Sequence, residues 1–221
     1  MKLVNCQVKY RPVSATLRGM ERAANPERTA LVTIECQRGV VGDLSVLPDL
    51  AGMARPVLAR IGALAAAARA AGVTIAHLTY APMPGGRSTN QRSPVTRGTS
   101  SSADWGPDRP GNEIVPEVGL ADGDLVFERH QGISPVHRTE VLTVLRNAGI
   151  EEVVVAGVST NLAVILTAAG AADEDFGVTI VRDATAGVPA SYHESVLRYS
   201  LAFVGRLATV DELVAEWGGA G

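Results

Sequence analysis

The stretch from Glu151 to Ala172, EEVVVAGVSTNLAVILTAAGAA, constrains the fold of this chain more than any other. Val153 to Gly157 is an apolar, β-branched run with the length of a strand covered on both faces. From Thr160 to Ala172 small and apolar residues continue unbroken, as in a helix packed closely on that strand. Only Val158 and Ser159 separate the two, so the strand hands its carboxyl end directly to a helix N-terminus. Unpaired backbone N–H groups and the positive end of a helix dipole gather at such a junction, and in open parallel sheets ligands bind beside it. The chemistry of the chain is expected there.

The same alternation runs through the rest of the chain. Ala30 to Ile34 reads as a buried strand, and Leu50 to Ala71 as an alanine-rich helix closed by Gly72, with Pro56 marking a start or a kink. Val73 to Leu78 and Leu125 to Glu128 read as strands, and Arg138 to Asn147 as a helix ahead of the central strand. Val178 to Val181, Ser191 to Ala202, Arg206 to Val210 and Asp211 to Trp217 follow as strand, helix, strand and helix. The pattern predicts an α/β protein, a three-layer α/β/α sandwich on a mostly parallel, Rossmann-like sheet. Residues 29–221 form one domain in this reading. Residues 1–28 form an N-terminal arm in which Leu3 to Val8 could make a short strand. Between Ala81 and Asn112 lies a long Pro-, Gly-, Ser- and Thr-rich stretch with Arg87, Arg92, Arg97, Arg109 and Trp105. A segment of this length is either a lid or a disordered connection, and as a lid its arginines would favour an anionic ligand.

Composition narrows the function classes. With 19% charged and 46% hydrophobic residues the chain is globular in type. No uninterrupted apolar run approaches the roughly 20 residues of a membrane span, and MKLVNCQVKYRP is too polar for a secretory leader. Cys6 and Cys36 make no disulfide framework. A cytoplasmic protein with no membrane partner is expected. Residues 1–110 carry 14 Lys and Arg against 7 acids, and residues 111–221 carry 6 against 16. Because the basic residues are scattered arginines and aromatics are only 4%, this split predicts mixed-sign surfaces once the halves fold together, not a nucleic-acid surface. No GxGxxG follows a strand, and His77, His130, His137 and His193 lack ligand spacing, so neither a dinucleotide nor a metal is expected.

Glu35 is unusual because it places a carboxylate at the carboxyl end of an apolar strand. Burial there demands a partner or a function. Arg129 and His130 end the Leu125–Glu128 strand, and together with the Gly157–Ala163 turn these strand ends converge on one edge of the sheet. From Thr29 to Trp217 these segments resemble the isochorismatase-like hydrolases, a superfamily that includes nicotinamidases and related cysteine hydrolases. The resemblance is carried by TALVTIECQRGV, by LVFERHQGISPVHRTEVLTVLRNAGIEEVVVAGVSTNLAVILTA with its specific GVSTNLAV turn, and by GVTIVRDATAG.

Amide-cleaving members carry an Asp after the first strand, a Lys after the third and a nucleophilic Cys at the start of the central helix. The matching positions here are Glu35, Arg129 and Ala163, so the acid and the charge are kept and the nucleophile is missing. Cys36, next to Glu35 on a strand, is expected to point to the opposite face, and Cys6 lies outside the resemblance. The only lysines are Lys2 and Lys9, so no other lysine stands in the matched region. Beside Arg129, Glu35 is expected to have its pKa held down, making it a general base toward water, with Arg129 holding a carboxylate or stabilising developing negative charge. The resemblance implies a cis, non-proline peptide in the Val158–Ser159 turn, which with Thr160 would form an oxyanion site. Gln37, Trp105 and His130 are candidates for substrate contact. Metal-binding nicotinamidases show closely spaced Asp and His after the second strand, where HLTYAPMPGGRS has only His77.

Two functions follow. The first is a cofactor-free hydrolase of a small anionic amide, ester or enol ether, using acid/base activation of water without a thioacyl intermediate. The alternative is an inactive member that binds a small molecule or serves as a partner protein. The resemblance also implies a homodimer or larger homo-oligomer.

Overall fold

The computed structural model describes residues 25–88, 92–99 and 104–218; most of the expected arm, including Leu3–Val8, lies outside them. The strands are β1 (Thr29–Ile34), β2 (Thr74–Tyr80), β3 (Leu125–Arg129), β4 (Glu152–Val158), β5 (Gly177–Ala186) and β6 (Arg206–Ala208). They form one parallel sheet in the order β3-β2-β1-β4-β5-β6. The helices are α1 (Arg38–Val41), α2 (Pro48–Ala70), α3 (Pro94–Thr99), α4 (Val141–Asn147), α5 (Ile165–Asp173), α6 (Ala190–Val196), α7 (Ala202–Val204) and α8 (Val210–Gly218). The expected three-layer sandwich is thus the observed fold.

Strand alternation builds the two cores. On one face Leu31, Ile75, Val154 and Val181 pack against α2 and α8 through Leu58, Ile61, Leu64, Leu213 and Trp217. On the other, Ala30, Val32, Val153, Val155 and Ile180 pack against α4 and α5 through Leu142, Leu145, Ala168 and Ala171. Each layer is closed by a buried stripe of one helix face, as the hydrophobic effect requires. The order of connection reverses between β1 and β4, so the chain leaving their carboxyl ends passes to opposite faces of the sheet and leaves a crevice. Gly157 lets the two strands meet there. Its φ is +112°, and a Cβ would lie 2.3 Å from the Ile34 carbonyl oxygen.

Several boundaries differ from the sequence reading for physical reasons. β5 continues through Asp183 to Ala186, because the Asp183 carboxylate accepts from Arg60 and from the Val210 N–H and is not left bare in the strand. The helix expected from Arg138 begins at Val141, after Arg138 takes φ +57°. α2 starts ahead of Pro56 and carries it inside. At 23 residues α2 is also long and apolar enough to cross a membrane by length and composition alone. Counting uninterrupted runs misses this, since Asp49, Arg55, Arg60 and Arg69 punctuate it. In the fold, its Ala54, Leu58, Ile61 and Leu64 are core residues.

The charge split closes across the molecule. Arg28 pairs with Glu151, Arg38 with Glu113, Arg60 with Asp183 and Asp211, and Arg69 with Asp124. First-half arginines thereby meet second-half acids.

Candidate active site

β1 stops at Ile34, and Glu35 turns the chain with φ +52°, its N–H donating to the Leu78 carbonyl at 2.9 Å. A left-handed backbone at a residue with a side chain is uncommon and concentrates at functional sites. Arg129, the last residue of β3, brings its Nη2 to 2.5 Å from Glu35 Oε1 and donates from the same atom to the Ile133 carbonyl at 3.1 Å. Tyr80, the last residue of β2, lays its ring under the guanidinium, 4.5 Å from centroid to Cζ. Trp105 stands edge-on to Tyr80 at 5.5 Å and donates from Nε1 to the Tyr80 carbonyl at 2.7 Å. Three adjacent strand ends thus build one ion pair on an aromatic base.

These groups line a cavity of about 370 Å³, a size typical of small-molecule sites. Leu47, Pro48 and Leu50 from the start of α2, Val95 and Thr96 from α3, and Ser159, Asn161, Leu162 and Ala163 from the junction after β4 complete much of its wall. Desolvation governs the acid. Burial pushes the Glu35 carboxyl above the ordinary carboxylate range, and the charge and hydrogen bond of Arg129 only partly offset it. This corrects the expectation of a depressed pKa, because one partner cannot replace the water that burial removes. Glu35 is therefore able to carry a proton as well as to accept one. Arg129 is itself short of acceptors: Nε and Nη1 are buried and donate to nothing among the described residues. A buried donor left so costs about 1–3 kcal/mol.

The Val158–Ser159 peptide is cis, as the resemblance implies. The Ser159 carbonyl then accepts from the Leu162 and Val164 N–H groups at 3.0 and 3.1 Å, opening a π-helical turn over Thr160–Val164 that leads into α5. Ala163 is buried in that turn and faces the cavity with no nucleophile. Val158 is buried in the core, and Thr160 spends its hydroxyl on His193 Nδ1 at 2.8 Å, so of the three turn residues only Ser159 lines the cavity.

Other expected residues sit elsewhere. Gln37 is fully buried as a clamp. Its Oε1 accepts from the Tyr80 N–H at 2.8 Å, its Nε2 donates to the Tyr80 carbonyl at 3.0 Å and also to Asn112, and it does not reach the cavity. His130 bonds the Ala81 carbonyl and faces Glu128, again away from the cavity. Trp105 does line it. Arg87, Arg92, Arg97 and Arg109 are exposed, and the 81–112 segment offers Val95, Thr96 and Trp105 to the cavity, not its arginines. Cys36 is not a cavity residue, although strand alternation is not the reason. The left-handed turn at Glu35 ends the strand and drops Cys36 into the core beside Leu31 and Val40. Among the described residues no three His, Cys, Asp or Glu side chains converge to hold a metal. The sequence reading missed Tyr80, although the signal was the one that found Glu35: a polar tip at the end of an apolar strand.

Comparison with known proteins places this architecture. The model of the isochorismatase domain matches residues 29–212. The isochorismatase family protein YecD of Escherichia coli O157:H7 is 27% identical over 86% of this chain and 96% of its own length. The isochorismatase family protein YwoC of Bacillus subtilis (strain 168) is 30% identical over 52% of this chain, a match spanning only 57% of that relative. Among solved structures, a cysteine hydrolase from Pseudomonas syringae pv. phaseolicola 1448A shares the fold with a TM-score of 0.75 at 21% identity, covering 90% of this chain and 97% of that one. An isochorismatase family protein from Burkholderia thailandensis has a TM-score of 0.72 at 25% identity, covering 87% and 96%. With the domain match covering nearly the whole described fold, this chain belongs to the isochorismatase family of hydrolases.

Proposed function

We propose that the chain hydrolyses a small anionic amide, ester or enol ether by proton transfer at Glu35, with no covalent intermediate at position 163. The observation that carries this reading is the partly buried Glu35–Arg129 pair at 2.5 Å, lining the same cavity as Ala163, with the acid's pKa raised. Glu35 gives its proton to the leaving oxygen or nitrogen and regains one from the attacking water, so the carboxyl ends as it began. Arg129 holds the substrate's acid group or stabilises the negative charge that develops on the reacting group. The absence of a nucleophile at Ala163 favours a second reading, a binding protein without turnover. One screen separates the two: esters, amides, carbamates and enol ethers are offered to the wild type, and each hit is repeated with Glu35→Gln. The hydrolase reading expects turnover to fall by ~10²-fold or more. An activity undiminished in the variant defeats the mechanism, and a screen with no hit favours the binding protein.

A further inference from the structure

The charges around the cavity limit what it can hold. Among the described residues that line it, Arg129 is the only cation, and Glu35 and Asp49 are the two acids. Nη2 of Arg129 is shared between Glu35 and the Ile133 carbonyl, while Nε and Nη1 have no acceptor. The guanidinium is therefore under-satisfied, and a ligand acceptor engages it by displacing Glu35 from Nη2. A second acid group on that ligand would find no second cation among the described lining residues, only neutral groups such as Thr96, Ser159 and Asn161 and the acids Glu35 and Asp49, because Arg87, Arg92, Arg97 and Arg109 do not line the cavity. Leu47, Leu50, Val95, Trp105, Leu162 and Val188 supply apolar wall for the rest of the molecule.

We propose that this cavity selects a monoanion with an apolar body, whose single carboxylate or equivalent acid group competes with Glu35 for Arg129 while the body lies against Leu47, Leu50 and Trp105. The inference rests on the hydrolase reading of the same cavity and names the charge and shape of its substrate. Competition has a consequence for Glu35. The groups that face it are Arg129 from β3, Tyr80 from β2 and Asp49 from the first turn of α2, with Cys36 beside it in the chain. Arg129 is the only one of these that can offset a second negative charge. A carboxylate seated on Arg129 thus raises the proton affinity of Glu35 further, so ligand binding takes up a proton there, and the protonated acid starts the reaction by giving that proton to the leaving group.

The test is calorimetric titration of the full chain with benzoate, its neutral analogue benzamide, the dianion phthalate, and acetate, which has almost no body. Benzoate is expected to bind at least ~10-fold tighter than benzamide or phthalate, and acetate weakest, a tenfold ratio being about 1.4 kcal/mol. Heats measured in buffers of different ionisation enthalpy should show proton uptake with benzoate. Glu35→Gln removes the competitor and should tighten benzoate by ~10-fold while abolishing that uptake. Arg129→Met should erase the preference for benzoate over benzamide. If that variant fails to fold, Glu35→Gln still decides, because it leaves the cation in place. Phthalate binding as tightly as benzoate, a weaker benzoate complex in Glu35→Gln, or no binding by any probe at millimolar concentration overturns the inference. These outcomes are read without turnover, whereas the hydrolase reading falls only on the hydrolysis screen.

Discussion

Two partly buried carboxylate–arginine pairs lie on neighbouring parts of this fold, and they are built to opposite ends. At the amino end of β3, Asp124 accepts from Arg69 through Nη2 at 2.6 Å and Nε at 3.3 Å, from the Ala121 N–H at 2.9 Å, and from His77 Nε2 at 3.2 Å. His77 in turn meets the Thr33 hydroxyl at 2.7 Å. Burial alone would raise the Asp124 carboxyl, but Arg69, Ala121 and His77 together outweigh it and hold it below the ordinary range. At the carboxyl end, Glu35 has one arginine, burial wins, and two donors of that arginine find no acceptor among the described residues. A saturated pair ties strands together, whereas an unsaturated pair beside a cavity is poised to bind something. Location agrees, since only the second lies at the carboxyl ends of β1, β2 and β3.

The largest effect should come from breaking the saturated pair. Asp124→Asn places an amide donor where Arg69, His77 and the Ala121 N–H all donate, and it should lower stability by about 3 kcal/mol in urea unfolding followed by circular dichroism. Glu35→Gln keeps an acceptor for Arg129 and removes a charge that burial already disfavours, so its stability should change by less than about 1 kcal/mol. Equal losses in the two variants would erase the distinction.

A smaller effect tests what supports the unsaturated pair. Tyr80→Leu removes the aromatic face beneath Arg129 and the edge contact with Trp105, and should cost about 1–2 kcal/mol. The same change should weaken benzoate binding by several-fold, because the guanidinium loses its support. A variant as stable as the wild type, with benzoate affinity intact, would show the ring to be a bystander.

Legibility in the sequence follows the same division. The strands, their buried faces and the convergence of Glu35, Arg129 and the β4–α5 junction were readable because apolar periodicity and chain order dictate them. The structure kept those placements while moving boundaries at Val141 and Ala186. What could not be read depends on through-space partners. Gln37 looked available for substrate because nothing in ECQRG indicates that both its polar atoms are taken by the Tyr80 backbone. The Glu35 pKa was misjudged because a sequence names a partner but not the water lost around it. The positive φ at Glu35, which redirects Cys36, has no signature in a residue type that rarely adopts it.

Protons offer a gentler probe of the comparison, because the two regions respond with opposite signs. Burial lowers the His77 pKa despite Asp124, so the unfolded chain binds a proton there that the folded chain refuses. Its contribution is fully present above the ordinary histidine value of about 6.5 and is lost as pH falls toward the folded pKa. Glu35 runs the other way: with its folded pKa raised, stability is present below the ordinary glutamate value and is lost as pH rises through the folded one. Unfolding free energies at about pH 7.5 and about pH 5.5, on either side of that histidine value, should fall less in His77→Gln than in the wild type. His193 is also lowered by burial and stays in both proteins, so it cancels from the difference. An identical fall in both would mean that His77 is not the group titrating.

The smallest expected effect is none at all, and it bears on whether the cavity conceals a thiol. Cys36 is 1% exposed, packed with Leu31 and Val40, and its thiol is pushed up to about 12 by burial first and by the Glu35 charge second. Thiolate is the reactive form, so at neutral pH the thiol is both unreachable and almost wholly protonated. Cys6 lies outside the described residues, so a Cys6→Ser variant isolates Cys36 as the one remaining cysteine. In the native state this variant should resist an aromatic disulfide reagent for hours and release one equivalent of chromophore once unfolded. Whatever activity the substrate screen finds should survive the native incubation unchanged. Rapid native labelling that tracks loss of activity, with circular dichroism unaltered, would put a reactive sulfur within reach of the cavity and return thioacyl chemistry to the site that Ala163 leaves without a nucleophile.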